Sequence, residues 1–90
     1  MAWFDRYIER ADGVQGGYPV IRGTRTPVRS VVVLYEQTYR LDLAAVRHAL
    51  PHLSPREIDA ALAYSLTDRA LVDEDIERQR KALNQLAAAR

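Results

Sequence analysis

The chain has 90 residues, of which 48% are hydrophobic and 28% charged, and it contains no cysteine. A chain of this length has material for one hydrophobic core, and this composition is typical of a globular domain rather than a disordered or fibrous one. The absence of cysteine excludes disulfide bonds and thiolate metal sites. No apolar stretch is long enough for a membrane span or a signal segment, so we expect a cytoplasmic protein.

The formal net charge of +1 is unevenly distributed along the chain. Residues 1–56 contain eight arginines and five acidic residues, which gives +3, whereas residues 57–90 contain five basic and seven acidic residues, which gives −2. A basic region favours contacts with phosphate groups, and an acidic region disfavours them.

Two short apolar pieces, RYIER and YPVIR, flank the glycine-containing segment ADGVQGG near the N-terminus. Because glycine adopts turn conformations that are closed to other residues, we predict a short β-hairpin here. Pro19 has no backbone N–H to donate and therefore indicates an edge strand. We expect the aromatic residues Trp3, Phe4 and Tyr7 to lie in the core, with a docking surface as the alternative.

The segment after the hairpin is rich in valine and apolar on every face, so propensity alone leaves strand and helix open. Thr26 followed by Pro27 is typical of a capped helix start, and the apolar residues beyond them recur at helical spacing. We predict a helix from Pro27 to about Thr38. A second, shorter helix is predicted from Leu43, with Asp42 as its cap, to a stop at Pro51.

The sequence SPREIDAALAYSLTD predicts the third helix most clearly. Ser54 and Glu57 have the spacing of a capping box, in which each side chain bonds the backbone N–H of the other residue. One apolar stripe is expected to face the core, formed by Ile58, Ala61, Leu62, Ser65 and Leu66. The opposite face, expected to be exposed, carries Arg56, Glu57, Asp59 and Tyr64.

A fourth helix is predicted from Val72 to Leu86, with acidic residues in its first turn. Its apolar stripe is thin, which favours a helix that projects from the core and contacts another chain. The residues that we expect to bind a partner are Val72, Asp73, Ile76, Glu77, Leu83 and Leu86. We therefore divide the chain into a domain of residues 1–70 and a C-terminal helix, residues 71–90, for dimerisation or partner binding.

Helices two and three are joined by the short connection LPHL, which is typical of a helix-turn-helix motif that reads DNA. The alternative is an ordinary helical hairpin. The residues that we expect to contact DNA are Arg22, Arg25, Arg29, Arg47, Ser54 and Arg56.

No motif indicates an enzyme. The glycine-rich segment lacks the spacing and the lysine of a phosphate-binding loop, and no serine or threonine is accompanied by a base and an orienting acid. His48 and His52 are separated by Pro51 and lack a third ligand at suitable spacing. We therefore expect no catalytic residues, no cofactor and no bound metal.

The segments GGYPVIRGTRTPV, LPHLSPREIDAALAY and VDEDIER together resemble the bacterial DUF433 family. The matching positions in the first segment include Pro19, Arg22, Gly23, Arg25 and Pro27, and those in the second include Pro51, Leu53, Glu57, Ile58 and Tyr64. Thr26 and Ser65 depart from the family pattern. The resemblance implies a winged-helix or homeodomain-like fold: mainly α, with a three-helix core, a short N-terminal β-hairpin and a C-terminal helix.

The resemblance also implies a function, namely an antitoxin that is encoded beside a PIN-like ribonuclease toxin. On this basis we expect a homodimer that represses its own operator DNA and neutralises the toxin by direct binding. Two alternatives remain open, which are a stand-alone DNA-binding regulator and a protein-interaction adaptor that does not bind DNA.

Overall fold

The computed structural model describes residues 1–89, over which the chain is mainly helical. A 3-10 turn precedes the first strand, and a π-helical turn continues the first helix. This architecture confirms the predicted mainly helical class with an N-terminal hairpin and a C-terminal helix. The regular elements are the strands β1 (Ile8–Glu9) and β2 (Val20–Ile21), and the helices α1 (Val28–Val33), α2 (Leu43–Ala49), α3 (Pro55–Thr67) and α4 (Arg69–Ala88).

The hairpin is antiparallel, with Ile8 paired to Ile21 and Glu9 paired to Val20. Its first strand is shorter than predicted because Trp3–Tyr7 forms the 3-10 turn instead of strand. Gly23 lies in the turn that follows β2, at a φ of 78°, a left-handed conformation that favours glycine. The hairpin therefore uses only two residue pairs, and its apolar side chains face the helices.

The predicted cap of α1 at Thr26 is wrong, because the backbone there pairs with β2. The amide of Ile21 donates to the carbonyl of Thr26 over 3.0 Å, and the amide of Val28 donates to the carbonyl of Pro19 over 3.0 Å. Pro27 is held in an extended conformation by this pairing, so α1 begins one residue later, at Val28. The predicted end of the helical segment near Thr38 is confirmed by the π-helical turn Leu34–Thr38.

Helices α2 and α3 begin as predicted. Asp42 accepts a hydrogen bond from the amide of Ala45 over 3.1 Å. In the capping box of α3, the Ser54 hydroxyl accepts from the amide of Glu57 over 3.1 Å, and the Glu57 carboxylate accepts from the amide of Ser54 over 2.8 Å. The predicted start of α3 is therefore confirmed at the level of individual atoms.

We expect Ser54→Ala to lower the free energy of unfolding by about 1 kcal/mol, because the first turn of α3 loses a side-chain acceptor. Ser54→Thr is the matched control, since threonine keeps the hydroxyl. Urea denaturation followed by circular dichroism measures both variants. Equal stability of the alanine variant and the parent protein would contradict the capping role.

The core lies where α1 and α3 cross, and α4 and the hairpin close it. The prediction that Leu66 lies on the buried stripe of α3 is wrong, because this residue is 79% exposed. Ser65, predicted on the same stripe, is buried. The Ser65 hydroxyl is satisfied within the helix, since it donates to the carbonyl of Leu62 over 2.6 Å. The most central residues are Ile8, Ile21, Val28, Val31, Val32, Val46, Leu53, Ile58, Ala61 and Val72.

Helix α4 begins three residues earlier than predicted, directly after Asp68, which ends α3. The acidic cluster therefore lies beyond the first turn of α4, which contains no acidic residue. The first part of α4 packs on α1 and α3, so the expected division of the chain at residue 70 falls inside a helix that belongs to the core. From residue 80 to residue 89 every side chain is exposed.

The corner between the π-helical turn and α2 is strained at Leu41, which has a φ of 70° and is 63% exposed. The left-handed conformation costs a residue with a side chain roughly 1–2 kcal/mol. We expect Leu41→Gly to raise the free energy of unfolding by up to about 1 kcal/mol, after the entropy of glycine is counted. Leu41→Ala is the control and should give no gain. A less stable glycine variant in urea denaturation would contradict the strain.

Candidate nucleic-acid and partner interfaces

A side-chain hydrogen bond joins the loop before α1 to the turn before α3. Thr26 Oγ1 and His52 Nε2 lie 2.9 Å apart. This contact places Arg25, which directly precedes Thr26, at the same end of the molecule as Ser54 and the first turn of α3. Arg25 is exposed, and within residues 1–89 its guanidinium has neither an acidic partner nor a hydrogen-bond acceptor. Within the described part of the chain the guanidinium of Arg25 is therefore unpaired, and it can bind a ligand at this end of the molecule.

The other exposed arginines of the predicted DNA-binding set already have partners. Arg22 donates to the carbonyls of Arg6 and Ile8 and lies 3.4 Å from the Glu9 carboxylate. Arg47 pairs with Asp59 over 3.2 Å. Such exposed ion pairs are weak and screened by salt, so they leave a guanidinium able to exchange its partner for a phosphate group.

Arg56, in the first turn of α3, has an aromatic partner. Its guanidinium carbon lies 3.8 Å from the centroid of the Trp3 ring, a close cation–π contact. Trp3 is 42% exposed, so the expectation that it lies in the core is wrong, whereas Phe4 beside it is buried. The neighbouring Ser54 uses its hydroxyl as the helix cap.

Arg29 is not available to DNA, which corrects its place in the predicted set. Its side chain is 11% exposed and forms a 3.0 Å ion pair with Asp75, whose side chain is 1% exposed. Arg78 binds the other carboxylate oxygen of Asp75 over 2.8 Å. Burial of a charge is costly unless it is paired, so this network holds Arg29 inward against α4.

The outer face of α3 is smaller than predicted. Tyr64 is not on it, because its ring packs edge-on against Phe4 and its hydroxyl donates to Asp68 over 2.8 Å. Most of α3 beyond its first turn is covered by the N-terminal 3-10 turn, α1 and α4. The exposed residues of α3 therefore lie at its two ends, and the cation among them is Arg56, in the first turn.

Burial and the hydrogen bond to Asp68 raise the pKa of Tyr64 from 10.0 to about 12. The raised pKa favours the folded state while the phenol is protonated, so this stabilisation is complete below pH 10 and is lost as the pH rises towards 12. We expect Tyr64→Phe to lose less stability over that interval than the parent protein does. Urea denaturation at several alkaline pH values measures the two slopes, and equal slopes would contradict this role of Tyr64.

The predicted partner-binding residues of α4 divide into two groups. Val72 is buried in the core, which corrects its assignment to a partner surface. Leu83 and Leu86 are 56% and 63% exposed, in the part of α4 that extends beyond the core. Between these groups, Ile76 is half-buried at the edge of the core.

The acidic side chains of α4 are occupied within the chain. Asp73 accepts from Arg69 over 2.8 Å, and Glu77 pairs with Arg80 over 2.8 Å. Glu74 accepts from the hydroxyl of Tyr18 over 2.8 Å, which raises the pKa of that phenol. A basic partner could therefore bind these acids only by displacing Arg69, Arg80 or Tyr18 from them.

A groove of about 350 Å³ runs between α1 and α4. Residues Val72, Ile76, Gln79, Leu83 and Leu86 follow each other at alternating intervals of four and three, the seam of a coiled coil. The first part of this seam is covered by α1, and the rest continues past the groove into solvent. This alternation of four and three is visible in the sequence and could have identified the seam. The groove is lined by Arg29, Ser30, Val33, Leu34, Ile76 and Gln79.

No group of three or more His, Asp or Glu side chains within residues 1–89 has an arrangement that could hold a metal ion. No helix in the same range is long and apolar enough to cross a lipid bilayer.

The molecule is thus a small, mainly helical domain headed by a two-stranded antiparallel hairpin. Residues 8–65 match the family model described as "Protein of unknown function (DUF433)", and the chain belongs to this family. The match confirms the resemblance seen in the sequence and ends before α4 begins. No curated protein and no solved structure matches the chain significantly.

Proposed function

We propose that this protein is the antitoxin of a two-gene module and that it neutralises a PIN-like ribonuclease by binding it with α4. The observation that carries the proposal is the apolar seam that leaves the core at Ile76 and continues through the exposed Leu83 and Leu86. Exposed apolar side chains at regular spacing on a projecting helix are typical of a surface that another protein covers. The choice of toxin as that protein rests on the family resemblance.

The contact with the toxin is mainly apolar in this proposal. The acids of α4, which include the predicted partner-binding residues Asp73 and Glu77, are engaged within the chain, so they contribute less than the leucines. The groove between α1 and α4 extends the surface, because Val33 and Leu34 line it opposite Ile76. A partner helix laid along the seam would contact both the groove and the end of α4.

Co-expression with the product of the neighbouring gene, which we expect to be a PIN-like toxin, tests the proposal. We expect the parent protein to restore growth and to co-purify with the toxin. Leu83→Asp combined with Leu86→Asp should abolish both effects, because the charges cannot be buried in an apolar contact. Leu66→Asp is the matched control, since Leu66 is 79% exposed on α3, outside this surface. Rescue by the double variant would contradict the proposed surface.

We also propose that a homodimer binds operator DNA with the end of the molecule that carries Arg25 and the first turn of α3. In a helix-turn-helix arrangement of α2 and α3, Ser54 and Arg56 would approach the major groove while Arg22, Arg25 and Arg47 contact phosphates. Two such ends would lie about 34 Å apart on the DNA. The support is the exposed, unpaired guanidinium of Arg25 beside the turn before α3.

Electrophoretic mobility shifts with the upstream DNA at increasing salt test this second activity. A protein that makes about five phosphate contacts should show a log–log salt slope near −4.5. Arg25→Ala should weaken binding and reduce the slope by about two, because each protomer of the dimer loses one phosphate contact, whereas the control Arg80→Ala, on α4, should do neither. DNA binding without toxin rescue would favour a stand-alone regulator, and rescue without a specific shift would favour an adaptor.

A further inference from the structure

The N-terminal 3-10 turn and the first turn of α3 form a second surface, in which an exposed indole ring is held in a fixed position. Trp3 contacts Phe4 and Tyr7 edge-on, with ring centroids 5.7 Å and 6.2 Å away. Phe4 is buried and packs in turn against Tyr64, so it anchors the turn to α3. Arg56 covers the Trp3 ring, with its guanidinium carbon 3.8 Å from the ring centroid.

Two more guanidinium groups lie along the same 3-10 turn. Arg6 lies 5.6 Å from the centroid of the Tyr7 ring. Arg22 is fixed beside the turn by hydrogen bonds to the carbonyls of Arg6 and Ile8. Within residues 1–89 neither Arg6 nor Arg56 has an acidic partner, so both keep their charge available to a ligand.

The acidic side chains near this surface are already engaged. Asp5 accepts from the amide of Ala2 over 2.9 Å, and Glu57 accepts from the amide of Ser54 over 2.8 Å. Glu9 lies 3.4 Å from Arg22 in an exposed pair. Three guanidinium groups and three carboxylates therefore surround the two aromatic rings, Trp3 and Tyr7, and each carboxylate is already held by a backbone amide or by Arg22.

We propose that this surface, centred on Trp3 and Arg56, binds single-stranded nucleic acid. An unpaired base has a flat face that can stack on the indole or on the guanidinium plane, and its phosphates can pair with Arg6 and Arg22. A duplex keeps its bases stacked on one another and offers the indole no free base face. A purely apolar partner gains nothing from three guanidinium groups beside the aromatic rings.

This inference goes beyond the proposed function and does not depend on it. Operator binding shares Arg22 and Arg56 with this surface, but it requires duplex DNA and the free guanidinium of Arg25, whereas single-strand binding requires Trp3. Toxin binding uses α4. Absence of operator or toxin binding would therefore not remove the stacking of an unpaired base on Trp3. Conversely, loss of single-strand binding would leave toxin rescue unchanged.

Trp3 is the only tryptophan of the chain, so its fluorescence reports directly on this surface. We expect oligomers of deoxythymidine or uridine of about twelve nucleotides to quench the emission of the full-length protein at low salt. The quenching should reverse as salt is raised, because the phosphate contacts release counterions. Stronger quenching by uridine would indicate RNA as the ligand, and stronger quenching by deoxythymidine would indicate DNA. A duplex of the same length should quench little.

Variants separate this role from a structural one, with fluorescence anisotropy of a labelled oligomer as the measurement. We expect Trp3→Ala to weaken binding about 5- to 150-fold and Arg56→Gln to weaken it as well. The control Arg80→Gln, an exposed arginine on α4, should bind like the parent protein. Circular dichroism verifies that each variant is folded. Absence of quenching, equal quenching by duplex, or unchanged binding of a folded Arg56→Gln variant would overturn the proposal.

Discussion

Asp75→Ala should lower the free energy of unfolding by about 3–5 kcal/mol, because it leaves buried Arg29 without its counter-charge. The Asp75 carboxylate is 1% exposed and receives hydrogen bonds from Arg29 and Arg78. Removal of one member of a buried pair costs far more than the pair itself contributes, since the remaining charge stays desolvated. Urea denaturation, with the parent protein and the variant at the same pH, measures the difference.

Two control variants make this expectation specific to burial. Glu77→Ala removes an exposed ion pair two residues further along the same helix, and we expect no measurable change in the denaturation midpoint. Replacement of both partners, Arg29→Met with Asp75→Leu, should recover most of the lost stability, because no charge remains buried. A single Asp75→Ala variant as stable as the Glu77→Ala variant would contradict the buried network.

Ile58→Ala should lower the free energy of unfolding by about 2–5 kcal/mol, because it creates a cavity at the centre of the core. Ile58 is fully buried where α3 meets α1. Leu66→Ala is the matched control on the same helix, and we expect it to change stability by no more than about 0.5 kcal/mol. Both residues were predicted to lie on one buried stripe, so equal costs would contradict the observed exposure of Leu66.

Structural features that depend on residues only a few positions apart were predicted correctly from the sequence. The capping box of Ser54 and Glu57 and the cap at Asp42 involve hydrogen bonds across only three residues, and both form as expected. The hairpin was also predicted, because its glycines and apolar pieces are local. Its first strand was overestimated, since the aromatic residues before Ile8 fold into a 3-10 turn.

Features that depend on distant parts of the chain were not predicted. Thr26 looked like a helix cap, but the backbone beside it pairs with β2, and only the tertiary structure determines that competition. Arg29 and Asp75 are separated by 46 positions, so nothing in the local pattern identified Arg29 as a buried residue. The face of α3 was misjudged at Leu66 for the same reason, because the position of the 3-10 turn and α4 selects which side is covered.

The candidate surfaces were predicted in part. Leu83 and Leu86 were correctly expected to be exposed on a projecting helix, whereas Val72 was assigned to the same surface although α1 covers it. The seam from Val72 to Leu86 keeps the same alternation of four and three residues throughout, so the sequence alone does not indicate where α1 stops covering it. The contact between Trp3 and Arg56 joins residues that are far apart in the chain and has no sequence signature.

Hydrogen–deuterium exchange on α4, measured with and without the proposed toxin, tests the central proposal most directly. In the free protein, the amides from residue 80 onward should exchange quickly, because this part of the helix is exposed on all sides. With the partner bound, these amides should become protected, as should those along the groove at Val33 and Leu34. Protection confined to other parts of the chain, or no protection at saturating partner, would contradict the assignment of this surface.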